Sequence, residues 1–396
     1  MSYSIMNDPT IYLHKPGTEQ KKVLDKFRLT EVFRDAYGNH MINNFPQGEA
    51  VQSAINAIKK FKKVDDVDIE EYRDLIVDLI YTKYILNFLY KEYFIFGLAD
   101  KSIAERLEFI ASQNCKVYWN ALTYNIEDRY KLDDKYLTYQ LLKPYYKRDI
   151  CCIKSLEQKV EFIDFCRKHK QFLIKPAGSF AGRGVEIINC EDKNPEELLS
   201  DFLENGETSP LTKNYDEAPK ILCEELIVNE DSIMAIHPAS VNSVRVYTYI
   251  NTHEEPTLVM ATMKAGQNGS VIDNVNSGGL AAAVDVNTGV VYTDAADEMG
   301  NVFSAHPNTG FVFKGFQISR WEEVKKIVLE IAPIFPGVRM VGWDVALSKD
   351  KGWQVIEGNA RGGYVAKQIA TKTGMRKEVE AAIEWDIHRK NQKKTT

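Results

Sequence analysis

Met340-Val341-Gly342-Trp343-Asp344-Val345-Ala346-Leu347, a turn over Ser348 to Gly352, then Trp353-Gln354-Val355-Ile356-Glu357-Gly358-Asn359-Ala360-Arg361 reads as strand, turn, strand. Valine, isoleucine and tryptophan favour the pleated, half-buried surface of a sheet, and the polar residues around Gly352 favour a reversal. Alternate residues of a strand share a face, so Glu357, Asn359 and Arg361 point one way. Pairing of the two strands sets Asp344 beside Glu357. A Mg²⁺ ion takes a few hard oxygens and completes its octahedron with phosphate and water. Asp344, Glu357 and Asn359 are therefore a candidate metal-ligand set, and Arg361 a candidate grip on a phosphoryl group. The competing reading is a surface hairpin with solvated charges. It has to explain acids flanked by Trp, Val and Ile, because a polar group in a buried strand needs a partner.

Upstream, Phe172-Leu-Ile-Lys175-Pro-Ala-Gly178-Ser179-Phe-Ala-Gly182-Arg-Gly184-Val-Glu-Ile-Ile188 is a strand, a lysine, a glycine loop and a second strand. Glycines let backbone N–H groups approach an anion closely. The loop is not a Walker motif, since no Gly-Lys-Ser/Thr and no helix follow, and its glycine spacing is not the dinucleotide fingerprint. Gly178, Ser179, Gly182 and Gly184 are candidate phosphate contacts; the alternative is a plain flexible turn. Lys175 at the strand end can reach a phosphate beside the loop. Lys135 falls on the first turn of a helix that Asp133 or Asp134 can cap, and it pairs with Lys175 as a second candidate contact. Ile221-Leu-Cys-Glu224-Glu225-Leu226-Ile227 is a further strand, whose backbone can meet an adenine edge. In the connector after it, Glu230 or Asp231 is placed to take ribose hydroxyls.

A chain of 396 residues suggests two or three domains at roughly 100–200 residues each. A hydrophobic share of 44% with 27% charged residues is that of a soluble globular protein, and a net charge of −6 argues against general nucleic-acid binding. Met1 to Asp8 lacks the basic start and apolar core of a signal peptide, and Leu75 to Leu98 carries four charges, so no membrane span is expected. Six cysteines without CxxC spacing read as reduced thiols, adjacent Cys151 and Cys152 included, and the expected compartment is the cytoplasm. From Val51 to about Ala111 apolar residues recur at helical spacing, which predicts two or three packed helices. Beyond Cys115, helices and closely spaced strands alternate. Strands are expected near 172–175, 185–188, 220–227, 243–250, 257–263 and 280–284, and a helix over 321–334. The fold class is α+β, with largely antiparallel sheets.

Taken in order, Lys135, Lys175 with its glycine loop, Glu224-Glu-Leu-Ile and Asp344…Glu357-x-Asn359-x-Arg361 resemble the ATP-grasp enzymes over roughly residues 115–370. His237-Pro-Ala-Ser240-Val-Asn242-Ser-Val-Arg245, Asn276-Ser-Gly278-Gly279 and the helical front are similar to the sugar-transfer-associated subgroup. The resemblance implies two α+β lobes clasping ATP, over 115–226 and 227–396, behind a helical region 1–114. It implies that Lys135 and Lys175 hold the α- and β-phosphates under a lid from Gly178 to Gly184. Glu224 and the Leu226 backbone would hold adenine, and Asp344, Glu357 and Asn359 one or two Mg²⁺ ions, with Mn²⁺ an alternative. Arg361 would stabilise the transferred phosphoryl group, and Arg245 would lie near the γ-phosphate or the acceptor carboxylate. The implied activity is ligation of a small-molecule carboxylate to a nucleophile of sugar-acid or amino-acid type through an acyl phosphate, in polysaccharide or surface-glycan synthesis. A kinase for a sugar or alcohol and a non-catalytic scaffold are the alternatives. The chain departs from the family in lacking its usual first domain, which leaves the acceptor open.

Overall fold

The computed structural model describes residues 19–176, 184–191, 193–205, 221–251 and 253–380. Of the expected lid, Gly178, Ser179 and Gly182 lie outside the described residues; Gly184 lies within them. Contacts group the chain into two compact units, one of residues 1–122, 296–302 and 363–396, the other of 123–295 and 303–362. These boundaries cut the chain differently from the three consecutive segments expected from the sequence.

The first unit is helical. Helices Glu31–Asn44, Glu49–Lys62 and Arg73–Tyr84 bury Ile42, Val51, Ile55, Ile58, Ile76, Leu79 and Ile80 in one core; the apolar spacing from Val51 onward predicts the second and third of them. The aromatic residues Tyr81, Phe88, Tyr93 and Phe96 belong to that core. Gly38 lets two helices approach closely: a Cβ there would stand 2.6 Å from Val77 Cγ1. The returning C-terminal segment joins this unit because the buried Gln368 side chain bonds both the N–H and the carbonyl of Ile110, at 2.8 and 3.0 Å.

The second unit carries the sheets. Strands β1 (Ile150–Ile153), β2 (Gln171–Pro176), β3 (Glu186–Asn189) and β4 (Ile221–Glu225) form a four-stranded sheet in the order β1-β4-β2-β3. Strands β5 (Ser243–Ile250), β6 (Pro256–Ala265), β7 (Leu280–Val284), β8 (Ala295–Ala296), β9 (Val302–Phe303), β10 (Met340–Ser348) and β11 (Gly352–Asn359) form a sheet ordered β11-β10-β5-β6-β7-β8-β9. The pairings among β1 to β4, and those joining β5, β6, β7, β10 and β11, are antiparallel. Beyond β7 the chain makes isolated bridges, Val284 with Val291 and Val290 with Gln317. The helix expected over 321–334 is Trp321–Ile331 followed by a 3₁₀ turn, Ala332–Ile334.

Each sheet packs one face on a core and leaves the other for polar groups. In the smaller sheet Phe172, Ile174, Ile221, Cys223, Cys151 and Ile153 pack with helices Lys159–Lys168 and Pro195–Asn205. In the larger sheet Val244, Val246, Ala261, Met263, Val341, Trp343, Val345 and Leu347 pack with the helix Trp321–Ile331. All six cysteines are free and five of them are buried, in line with the reduced-thiol reading. Among the described residues no helix is long and apolar enough to cross a membrane. The architecture is mixed helix and antiparallel sheet, with the helical region leading.

Candidate functional site

The hairpin of β10 and β11 closes as expected at Ser348, whose hydroxyl accepts from Lys351 N–H at 3.1 Å, with Gly352 at φ +68°. The register places Asp344 opposite Glu357 and Gly342 opposite Asn359. One residue is extra: Asp344 faces Glu357, yet the next residue, Val345, faces Val355, so Ile356 forms a bulge. The bulge decides the site. Trp353 and Val355 lie in the core; unbroken alternation would send Glu357 there with them. The inserted residue reverses the phase, so Glu357 and Asn359 emerge on the opposite face beside Asp344.

That face also carries Arg245 and Tyr247 of β5 and Lys264 of β6, because their neighbours Val244, Val246, Met263 and Ala265 point into the core. Arg245 lies opposite Asp344 and grips it with both arms of its guanidinium, Nε to Oδ1 and Nη2 to Oδ2, the latter at 2.6 Å. The Lys264 ammonium stands 3.1 Å from Asp344. Burial pushes the Asp344 carboxyl up, but Arg245 and then Lys264 outweigh it and hold the group well below the usual carboxylate range. Burial likewise pulls Lys264 down, and Asp273 and Asp344 more than reverse this. Asn359 donates from its amide to Glu357 at 3.2 Å, and both side chains are half-buried. Arg361 is exposed and pairs with Asp133 at 2.9 Å.

Lys135 and Lys175, the two lysines expected at phosphates, meet on the polar face of the smaller sheet. Lys175 and Glu224 sit on neighbouring strands, offset by two residues, and their side chains pair at 3.0 Å. Glu224 also accepts from Arg148, at 2.9 Å from Nε and 2.6 Å from Nη2, and Arg148 reaches the Val355 carbonyl at 2.7 Å. Burial raises the Glu224 carboxyl, and Arg148 and Lys175 bring it below its ordinary value. Glu224, which the resemblance assigns to adenine, has Lys175 and Arg148 as its partners in the structure. Asp134 caps the helix Lys135–Tyr146 by accepting from Leu137 N–H at 2.9 Å. Lys135 opens that helix, an unfavourable place for a cation against the helix dipole. Its ammonium bonds the Pro176 carbonyl at 3.3 Å, and burial, with Lys175 nearby, lowers its pKa against the pull of Glu357 and Glu224. Gly184 has φ +69°, and a Cβ there would come 2.8 Å from Pro176 Cγ, so glycine is required where the loop rejoins β3.

In the connector, Glu230 caps the short helix Asp231–Met234 by accepting from Ser232 N–H, Asp231 pairs with Lys349 at 2.8 Å, and Leu226 is half-buried. Three residues here were not singled out from the sequence in any role: Lys264, Arg148 and Tyr247. Tyr247 packs against two glycines, since a Cβ at Gly342 or Gly362 would come 2.9 or 2.6 Å from its Cε1. A glycine inside a strand signals such close approach, so Gly342 held a readable clue.

Asp344, Glu357 and Asn359 are hard oxygen donors on one face, with two carboxylates in contact across the strands. This donor chemistry fits Mg²⁺. A second group, Asp149, His169 and Glu225, is already an ion-pair network: Lys168 and His169 hold Asp149, and Lys351 holds both oxygens of Glu225 at 2.5 and 2.6 Å.

The profile of the family described as sugar-transfer associated ATP-grasp matches residues 119–384, more than half of the chain. The chain belongs to that family. Comparison with curated proteins finds no match. Among solved structures, this ATP-grasp protein is similar to the ATP-grasp ligase PsnB complexed with minimal precursor, Mg and ADP. That match has 14% identity, a TM-score of 0.39, and covers 66% of this chain and 61% of that one. It is also similar to the D-alanine-D-alanine ligase from Coxiella burnetii, with 10% identity, a TM-score of 0.41, and 68% and 62% covered. A third is the Chryseobacterium gregarium RiPP-associated ATP-grasp ligase in complex with ADP and a leader and core peptide, with 14% identity, a TM-score of 0.39, and 65% and 60% covered. The chain therefore spans less than two thirds of the length of these structures.

Proposed function

We propose that this ATP-grasp protein is an ATP- and Mg²⁺-dependent ligase that activates a small-molecule carboxylate as an acyl phosphate and passes it to a nucleophile. The observation that supports this best is the set of cations, Lys135, Lys175, Arg245 and Lys264, gathered around paired carboxylates on two polar sheet faces. Lys135 and Lys175 hold the α- and β-phosphates of ATP. The Leu226 backbone meets adenine, Glu224 sets the height of Lys175, and Glu230 or Asp231 takes the ribose. Asp344, Glu357 and Asn359 would hold Mg²⁺, which supplies charge neutralisation as the γ-phosphoryl group moves.

A carboxylate is a poor acyl donor because oxide would have to leave. Once its oxygen carries the γ-phosphoryl group, phosphate leaves when an amine or other nucleophile attacks the carbonyl carbon. Arg245 and Lys264 orient the carboxylate and transferred group, and Arg361 neutralises charge on the phosphoryl oxygens; positioning and electrostatics carry such a transfer. Acceptors of sugar-acid or amino-acid type, in surface-glycan synthesis within the cytoplasm, complete the proposal, and the family's sugar-transfer description is in keeping with the glycan part of it. The test is ADP and phosphate release over sugar acids and amino acids, singly and in pairs. A ligase releases phosphate only when both partners are present. ADP with a phosphorylated sugar or alcohol would make it a kinase instead, and no nucleotide binding by calorimetry would leave a scaffold.

A further inference from the structure

Lys264 has two carboxylate neighbours, Asp344 at 3.1 Å and Asp273 at 3.7 Å. Asp273 comes from the segment 266–279 that joins β6 to β7, and it also accepts from the Ser243 hydroxyl. Ser243 lies directly opposite Lys264 in the pairing of β5 with β6. Gly279 packs closely against the Asp273 backbone: a Cβ on Gly279 would stand 2.4 Å from its carbonyl oxygen. Both Asp273 and Lys264 are largely withdrawn from water, with side chains 14% and 11% exposed.

These contacts expose a problem of charge. With Asp344 bonded to Arg245 and Lys264, a divalent cation arriving at Asp344 meets two positive groups. If Lys264 gave up Asp344 with nothing in exchange, a buried ammonium would lose its partner, which is strongly unfavourable. Asp273 is the second partner already within reach, anchored by Ser243 on the adjoining strand.

We propose that Asp273 is a positioning residue of the metal site: it takes over Lys264 when Asp344 turns to Mg²⁺, so that ion uptake and tightening of the segment 266–279 are one event. The proposal rests on the reading of Asp344 as a metal ligand and extends it to a residue that touches neither metal nor nucleotide. It links the nucleotide side of the site to a segment carrying Asn276, Ser277 and Gly278, which are exposed or half-buried on the same connection.

The test is calorimetric titration of Mg²⁺ into the full chain saturated with ADP, alongside ADP binding without metal. Asp273→Asn should lose about 10–100-fold in Mg²⁺ affinity, the usual effect of removing an outer partner of a metal site. Metal-free ADP affinity should not change, and Asp273→Glu should restore most of the loss. In the wild-type protein, Mg²⁺ added to the ADP complex should slow hydrogen exchange across 266–279. Equal Mg²⁺ affinity in Asp273→Asn would overturn the proposal, and so would an equal drop in metal-free ADP binding, which marks general damage. The wild-type exchange measurement needs no variant to fold: Mg²⁺ uptake without protection of 266–279 also overturns it. If wild-type protein with ADP takes up no Mg²⁺, the functional reading fails first and this proposal with it.

Discussion

Glu224→Gln separates two accounts of one residue. The Glu224 carboxylate accepts from Arg148 at 2.9 and 2.6 Å and from Lys175 at 3.0 Å, and all three side chains are buried. Glutamine keeps the shape and one acceptor oxygen but removes the charge that two buried cations share. Breaking a buried pair from one side costs about 3–5 kcal/mol; the retained amide oxygen sets the expectation at the lower end, about 3 kcal/mol. Urea unfolding followed by tryptophan fluorescence reads this, since Trp321, Trp343 and Trp353 all lie in the core of the same unit. The Glu224 carboxyl titrates below its ordinary value in the fold. Its contribution is therefore complete above the unfolded value of about 4.3 and is lost as pH falls through the lower, folded value. The gap between wild type and variant should hold steady from about pH 7 to pH 5 and close in acid. ATP should stabilise the variant more than the wild type, because phosphate then supplies the counter-charge Lys175 has lost. An unchanged urea midpoint together with weakened ATP binding would refute this reasoning and return Glu224 to adenine.

Mg-ATP at ~100 times its dissociation constant should raise stability by roughly 2.7 kcal/mol, and Lys135→Ala or Lys175→Ala should shrink that gain; a melting temperature indifferent to millimolar Mg-ATP would count against the nucleotide site. Glu357→Gln, at a half-buried position, should cut turnover while moving the urea midpoint little; if activity per folded molecule survives, Glu357 is not a metal ligand. Asp344→Asn should lose both turnover and stability, since Arg245 and Lys264 are left with a neutral partner; near-native stability would mean the pairing is weaker than its geometry. Gly342→Ala should cost about 1–3 kcal/mol by driving a methyl into Tyr247 and Arg245, and Tyr247→Leu should relieve it in the double variant.

Much of this architecture is legible in the chain. Short β-rich apolar runs located β2, β5, β7, β10 and β11 within a residue or two, because strands buried in a sheet are written in apolar and β-branched residues. Asp134 announced its helix through capping chemistry. The larger omissions share a cause. Lys264 and Arg148 are cations whose surroundings exist only after distant strands pair, so nothing within ten residues of either distinguishes it from a surface residue. The helical unit ended where long-range contacts placed it, since Gln368 and Ile110 meet across hundreds of positions.

The bulge at Ile356 shows how close the reading came to failing. Alternation correctly joined Glu357 with Asn359, but continued backward it also joins them to Val355 and Trp353, which are core residues. Only the extra residue separates the two sets, and a bulge has no signature in composition. Its consequence is chemical. With the phase reversed, Glu357 joins Asp344, Arg245 and Lys264 on the polar face of the larger sheet, and on both sheets these cations already hold a protein carboxylate: Arg245 and Lys264 hold Asp344, Arg148 and Lys175 hold Glu224. A polyanionic ligand entering such a face gains little by contacting charges that are already neutralised. It binds by exchanging partners, so its affinity is the difference between phosphate and carboxylate as partners for the same cations. On the proposed reading, a metal ion would reverse that balance by drawing Asp344 away, with Lys264 passing to Asp273 and Arg245 left to the incoming anion. Ion and anion then favour each other's binding without touching, and that coupling is reciprocal.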